Sequence, residues 1–304
     1  MRLLTVATVS CLLALSACDS EEDKGPSLAD AGAPAKLDTT EAVLQSAGYL
    51  LLTAKLDGLA ESFTTFGSPL ARKAQRMAPK ATLTDAECPG GGSFDFTDQN
   101  RDDYLQFRFD NCITDDGDRS NGLLELVCLS GTFEPDQDDS CSNTRISFGD
   151  GNRALVTTVS SGEVLALRGT FRLQTTSRAT ITDQTLDVET RSEGLRVVGI
   201  TRGLNRDIEP TSNGGALVLI NGDTGVALQG DDIECATGLV SIATLDRLQV
   251  NPAGAVIGGS VSISNDDNQT ATVSFSSDGS VTVNLDGSTQ TFPRTRFEAL
   301  CESD

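Results

Sequence analysis

From Phe94 onward, apolar residues fall at alternate positions in one short run after another. Phe94/Phe96, Leu105/Phe107/Phe109, Leu124/Leu126/Cys128 and Ile146/Phe148 set the pattern. It returns through Val164 to Leu173, Ile181 to Val188, Leu195 to Ile200, Leu217/Leu219, Val226/Leu228, Ile242 to Val250, Val256 to Ile263, Val273/Phe275, Val281/Val283/Leu285 and Phe292. Successive side chains of an extended chain point to opposite faces, so each run places its apolar set on one side of a strand. Between the runs stand Asp116-Gly117, Asn121-Gly122, Asp150-Gly151, Asn213-Gly214, Asn221-Gly222, Asp278-Gly279 and Asp286-Gly287. Such pairs accept positive φ and suit tight hairpins. About a dozen or more strands at this spacing predict an antiparallel meander.

A sheet with one apolar face needs a partner layer. The one long amphipathic stretch is 39–66: Val43, Ala47, Leu50 and Ala54 share a face, and Leu52, Leu56, Leu59, Phe63 and Phe66 continue the stripe. Asp38 with Glu41 three residues on reads as its cap, and Gly67 and Pro69 as its end. A short helix over about 69–77 is expected next, with Arg72, Lys73 and Arg76 in it and Lys80 just beyond, a basic patch in an acidic chain. The expected fold is mainly β: an antiparallel meander forming a strongly curved sheet or partly open barrel, packed on one long N-terminal amphipathic helix. Residues 38–87 are its helical segment and 88–304 its β-rich domain, with a sub-boundary near 203–216, where Gly, Asn and Pro gather. Gly214–Asn221 resembles Gly258–Asn265 at a spacing of 44, a faint internal repeat.

The N-terminus carries a different signal. Arg2 precedes an apolar run, Leu3 to Leu15, and the run closes on Leu15-Ser16-Ala17-Cys18. Charged start, apolar middle and small-residue cut site make a secretory signal over 1–17. A cysteine at the cut point resembles the lipobox of bacterial lipoproteins. The resemblance implies cleavage after Ala17, diacylglycerol on the Cys18 sulfur and acylation of the new amino terminus. Residues 18–37 then read as the lipidated Cys18 and a flexible acidic linker, too polar and Pro/Gly-containing to bury a core. In enterobacterial lipoproteins an Asp such as Asp19 at this position favours the inner membrane; inner versus outer stays open here.

Eight cysteines are present, and Cys11 leaves with the signal. With Cys18 assigned to lipid, Cys88, Cys112, Cys128, Cys141, Cys235 and Cys301 remain, an even set that fits disulfides in an oxidising compartment. Proximity in sequence favours Cys88–Cys112, Cys128–Cys141 and Cys235–Cys301. No C-x-x-C pair suggests a thiolate metal site.

Histidine is absent, which removes His-based triads and His-ligated zinc. The net charge of −21 repels phosphates and argues against nucleic acid. The sequence holds no G-x-S-x-G elbow, P-loop or G-x-G-x-x-G motif. Asp98, Asn100 and Asp102 form a D-x-N-x-D start that could present oxygens to calcium, although Asp103 and Phe109 depart from the rest of a calcium loop. The pattern as a whole resembles β-rich envelope lipoproteins of Gram-negative bacteria, and its helix-plus-sheet plan resembles the helix-in-half-barrel of periplasmic lipoprotein carriers. That implies a lipid-anchored protein facing the periplasm or exterior. It would bind a protein, a polymer or a hydrophobic ligand without catalysis or cofactor. A calcium-dependent adhesin or structural module and a carboxylate-dependent hydrolase are the alternatives.

Overall fold

The computed structural model describes residues 27–55, 83–99, 101–133, 141–175, 179–192, 195–230, 238–293 and 296. Among the described residues, two helices, α1 (Leu28–Gly32) and α2 (Thr40–Lys55), precede fifteen strands. The strands are β1 (Leu83–Glu87), β2 (Gly91–Thr97), β3 (Tyr104–Ile113), β4 (Arg119–Ser130), β5 (Asn143–Phe148), β6 (Leu155–Thr158), β7 (Val164–Thr175) and β8 (Ala179–Ser192), followed by β9 (Leu195–Pro210), β10 (Ala216–Gly230), β11 (Gly238–Val250), β12 (Val256–Ser264), β13 (Thr270–Phe275), β14 (Val281–Leu285) and β15 (Ser288–Phe292). All pair antiparallel in one sheet that follows chain order and curls into a partly closed ring. The meander is therefore as expected. Its one irregularity is β5 and β6, which lie end to end between β4 and β7 with a turn at Asp150–Arg153 extruded between them.

One turn closes six of the hairpins. In 114–118, 159–163, 211–215, 251–255, 265–269 and 276–280, the first residue's N–H donates to the fifth residue's carbonyl, and the fourth residue's N–H donates to the first's. The fourth residue is left-handed in each, Gly in five and Asn268 in the sixth. This is the three-residue loop with a bulge, whose twist matches the flanking strands. Asp116-Gly117, Asn213-Gly214 and Asp278-Gly279 sit in these turns, and Asp286-Gly287 makes the β14–β15 turn.

Three other turn signals do something else. Asp150-Gly151 lies in the extruded turn, and Asn121-Gly122 and Asn221-Gly222 lie inside β4 and β10. There they belong to a line of bulges that crosses the sheet. The Asn121 side chain accepts from the N–H of left-handed Asn111 at 2.7 Å. Asp95 does the same for left-handed Asp85 and Asn205 for left-handed Asp183, and Asn221 accepts from the Thr244 N–H. Each bulge frees a backbone N–H from the ladder, and the neighbouring Asx side chain satisfies it. At Gly169, φ is +127°, and a Cβ would meet Thr185 O at 2.1 Å. Bulges raise local twist and bend the strand, so the line acts as a crease along which a broad sheet curls.

Register assigns the two faces. The apolar face carries two clusters. One joins β1 to β8 around Phe96, Phe107, Leu124 and Ile146, and the other joins β9 to β15 around Leu204, Ile220, Ile263 and Val283. Val43, Leu44 and Ala47 of α2 belong to the second cluster, and α2 packs on β13 and β14. Sequence alternation misplaced β10: Val218 and Ile220 face the core, not Leu217 and Leu219. The run Leu217-Val218-Leu219-Ile220 is apolar throughout, so parity is unreadable there. Residues 203–216, expected as a sub-boundary, are the end of β9, a turn and the start of β10, hydrogen-bonded to each other. The two repeat-like segments flank β11, one leading into β10 and the other running along β12 to its turn.

A long helix over 39–66 is not seen. The helix runs Thr40–Lys55; residues 56–66, Gly67, Pro69 and the expected helix at 69–77 lie outside the described residues. Its cap is Thr39, not Asp38: the Thr39 hydroxyl accepts from the Ala42 N–H at 3.1 Å. Arg296 ties the C-terminal segment to its first turn, donating to Glu41 at 3.0 Å. The linker expected to be free is docked from Ser27 onward. Ser27 and Asp30 form a reciprocal cap on α1, and Ala31, Ala35 and Leu37 are buried. Small side chains allow this. Ala31 packs on Val198, Ile200, Ala227 and Leu239, on the face opposite the two large clusters. Gly225 makes room, since a Cβ there would meet Ala31 O at 2.1 Å. Pro34 then bridges Leu239 in parallel, taking the place beside β11 that β12 leaves vacant.

The crease makes a prediction. Gly169→Ala should lower stability by about 2–4 kcal/mol, from left-handed strain and a displaced strand. Gly151→Ala, with nothing within 4 Å of its Cβ position, should lower it by about 1 kcal/mol. Urea midpoints at equal m-value measure the difference.

Candidate functional site

The two faces offer different chemistry. The face opposite the clusters carries cross-strand ion pairs. Asp187 sits between Arg168 at 2.5 Å and Arg202 at 2.6 Å. Glu189 accepts from both Arg191 and Arg196, and Arg247 reaches Glu209 at 2.8 Å and Asp207 at 3.4 Å. Alternation builds this wall: in β8, Leu186 and Val188 face the core and Asp187 and Glu189 the other side, and in β7, Leu165 and Leu167 face the core and Arg168 the other side. Burial pushes the Asp187 carboxyl up, but hydrogen bonds and charge from Arg168 and Arg202 outweigh it and hold the group below the usual range.

Tyr104 of β3 stands at another point of this ionic face, 6% exposed. Its hydroxyl donates to Glu125 at 2.9 Å and accepts from Gln106 Nε2 at 3.0 Å. Arg145 lies 3.9 Å from Glu125, and Arg101 stands over the Tyr104 ring, 5.6 Å from its centroid. Burial, the hydrogen bond to Glu125 and the negative charge of Glu125 push the phenol up to about 12, against Arg101 and Arg145. A phenol held neutral this firmly donates a hydrogen bond and does not act as a base near neutral pH.

The expected calcium loop lies beside it. Asp98 and Asp102 are described, and Asn100 is outside the described residues. The Asp98 carbonyl accepts from the Arg101 N–H, and the Asp102 carbonyl from the Phe133 N–H. Arg101 grips Asp103 through two hydrogen bonds of 2.9 and 2.7 Å, which hold that carboxyl below its usual range. Among the described residues, no group of three or more His, Cys, Asp or Glu is placed to hold a metal ion. The other acidic turns, at 114–118 and 265–269, are the recurrent hairpin turn.

The apolar face holds a polar seam where β8 meets β9. Gln184, Ser192, Thr201 and Arg206 are buried there, with Thr224 of neighbouring β10. The Thr201 hydroxyl accepts from the Leu186 N–H at 3.1 Å, and Thr224 donates to the Ile200 carbonyl at 3.3 Å. Arg206 is 2% exposed, a guanidinium carried into the gap between the two apolar clusters. Sequence reasoning missed it, because Asn205-Arg206-Asp207 reads as surface charge. The alternation Leu204, Arg206, Ile208 was the available signal.

Cys88 is joined to Cys112 and Cys128 to Cys141, with Cα separations of 5.4 and 5.7 Å. The first bond ties the β1–β2 turn to β3, and the second ties β4 to the start of β5. Cys235, Cys301 and Cys18 lie outside the described residues.

Two outcomes follow. In a phenolate absorbance titration, one of the two tyrosines should ionise near 12. Glu125→Gln should return it toward about 10, and Tyr104→Phe should remove it. The neutral phenol stabilises the fold fully below about pH 10 and loses that contribution as pH rises through about 12. Asp187→Asn should destabilise by about 1–3 kcal/mol near neutral pH. The carboxyl is lowered in the fold, so its contribution holds above the unfolded value of about 3.9 and vanishes as pH falls below the folded one. Denaturation of the variant and the parent should converge in strong acid. No family model, curated protein or solved structure matches this chain.

Proposed function

We propose that the chain is an envelope lipoprotein held to a membrane through Cys18, facing the periplasm or exterior, with a non-enzymatic role as a scaffold or binding surface. The observation that carries the reading is the N-terminal order: Arg2, the apolar run to Leu15, then Ser16-Ala17-Cys18. The two disulfides favour an oxidising compartment. No helix among the described residues is long and apolar enough to cross a membrane, so membrane attachment in this reading comes from the lipid. Val43, Leu44 and Ala47 of α2 share the core of the β9 to β15 cluster. That arrangement favours a partly open barrel closed around a helix. A protein, a polymer or a hydrophobic ligand is the partner this reading calls for.

The test is processing in a Gram-negative host. Intact mass should show loss of residues 1–17 and gain of a diacylglyceryl and an acyl group, and labelled palmitate should enter the protein. Cys18→Ser should abolish the label and release the chain from the membrane fraction. An unmodified amino end in membrane-bound material would overturn the reading.

A further inference from the structure

The N-terminal segment hooks over one rim of the sheet. Helix α1 lies on the ionic face, with Ala31 against Val198 and Ala227. The Leu239 N–H donates to Ala33 O at 2.6 Å, and the Ala35 N–H donates to Leu239 O at 3.0 Å. The chain then meets the β12–β13 turn. Buried Asn265 donates to Ala35 O at 2.7 Å, and Gln269 accepts from the Leu37 N–H at 3.1 Å. From there it turns onto the apolar face as α2. The turn at 265–269 thus clamps the segment where it crosses from one face to the other.

We infer that this hook fixes which end of the protein faces the membrane: the rim bearing the β12–β13 turn lies toward the lipid, and the rim bearing the 211–215, 251–255 and 276–280 turns points away, toward partners. The inference rests on the Cys18 anchor proposed above. Lengths decide it. From Cys18 to Ser27 there are 27 − 18 = 9 residue steps, at most about 32 Å. From Val198, beside α1, to Pro210 at the far rim there are 210 − 198 = 12 steps, roughly 40 Å along β9. Strand tilt lowers that to a height of about 30 Å, which only a fully stretched tether could match; nine coil residues span about 17 Å on average, so the near rim is the one held at the bilayer. Were the segment undocked up to Thr39, 39 − 18 = 21 steps would span about 70–75 Å, and either rim could touch the membrane.

The chain has no tryptophan, so single Trp probes report cleanly. Asp266→Trp marks the near rim, and Ser277→Trp marks the far one; both positions are exposed turn residues. The full lipidated protein is placed in phosphatidylethanolamine/phosphatidylglycerol vesicles carrying a dansyl headgroup, and energy transfer from each Trp is read. Asp266→Trp should transfer severalfold more than Ser277→Trp. Adding Ala31→Glu, which expels α1 without touching the sheet, should erase the difference. It should also remove the hydrogen-exchange protection of the Leu239 amide. If the protein does not float with the vesicles, the anchor fails and the inference falls with it. If it floats but the two probes transfer equally, the anchor stands and the orientation alone is overturned. Should Ala31→Glu unfold the sheet, Asn265→Ala, which removes only the clamp on Ala35, serves in its place; an undiminished difference together with lost Leu239 protection would also overturn the inference.

Discussion

Burial of a single apolar face governs this structure. Fifteen antiparallel strands with aliphatic and Phe side chains on one side cannot lie flat, because the apolar side would remain in water. Curling is the available answer, and it demands bent strands. The bulges supply the bends, and Asp95, Asn121, Asn205 and Asn221 supply the hydrogen bonds the bends would otherwise forfeit. Four short polar side chains thus support the burial of many apolar ones. Their distribution over β2, β4, β9 and β10 makes the curvature a property of the sheet and not of one strand.

The ionic face answers a second constraint. A chain of net charge −21 repels itself, and exposed arginines bridging neighbouring strands offset part of that repulsion. Asp187, Glu189 and Arg247 each engage two opposite charges, so these contacts are networks and exceed isolated surface pairs in effect. Arg206, on the other face, follows different physics. A cation removed from water beside Leu204 and Ile220 is costly to desolvate unless it is paired.

Much of the fold was legible because strand parity and Gly-containing turns are local signals. Phe94/Phe96, Phe107/Phe109 and Val281/Val283/Leu285 face the core as alternation required. Both cystines within the described residues join sequence neighbours, as short loops favour. Legibility failed where the deciding contact lies far away in the chain. Asn121-Gly122 and Asn221-Gly222 have the chemistry of a hairpin turn. Only the adjacent strand, with a backbone N–H to satisfy at Asn111 or Thr244, makes them partners of a bulge. Ser27 to Leu37 looked too polar and small to bury anything. Those same small residues let it lie flush on Gly225 and Leu239. Arg206 escaped sequence reasoning because its burial leaves no local mark beyond its parity with Leu204 and Ile208.

The distance in sequence between the hook and its clamp has a temporal consequence. Each strand from β1 onward finds a partner next to it in the chain, so the ladder can assemble progressively from local hairpins. The hook is different: Ala35 and Leu37 lie 230 and 232 residues before the side chains that hold them. Docking must therefore await synthesis of Asn265 and Gln269. A segment made early is thus among the last to settle, and until it does the edge of β11 beside Leu239 stays open to any extended strand nearby.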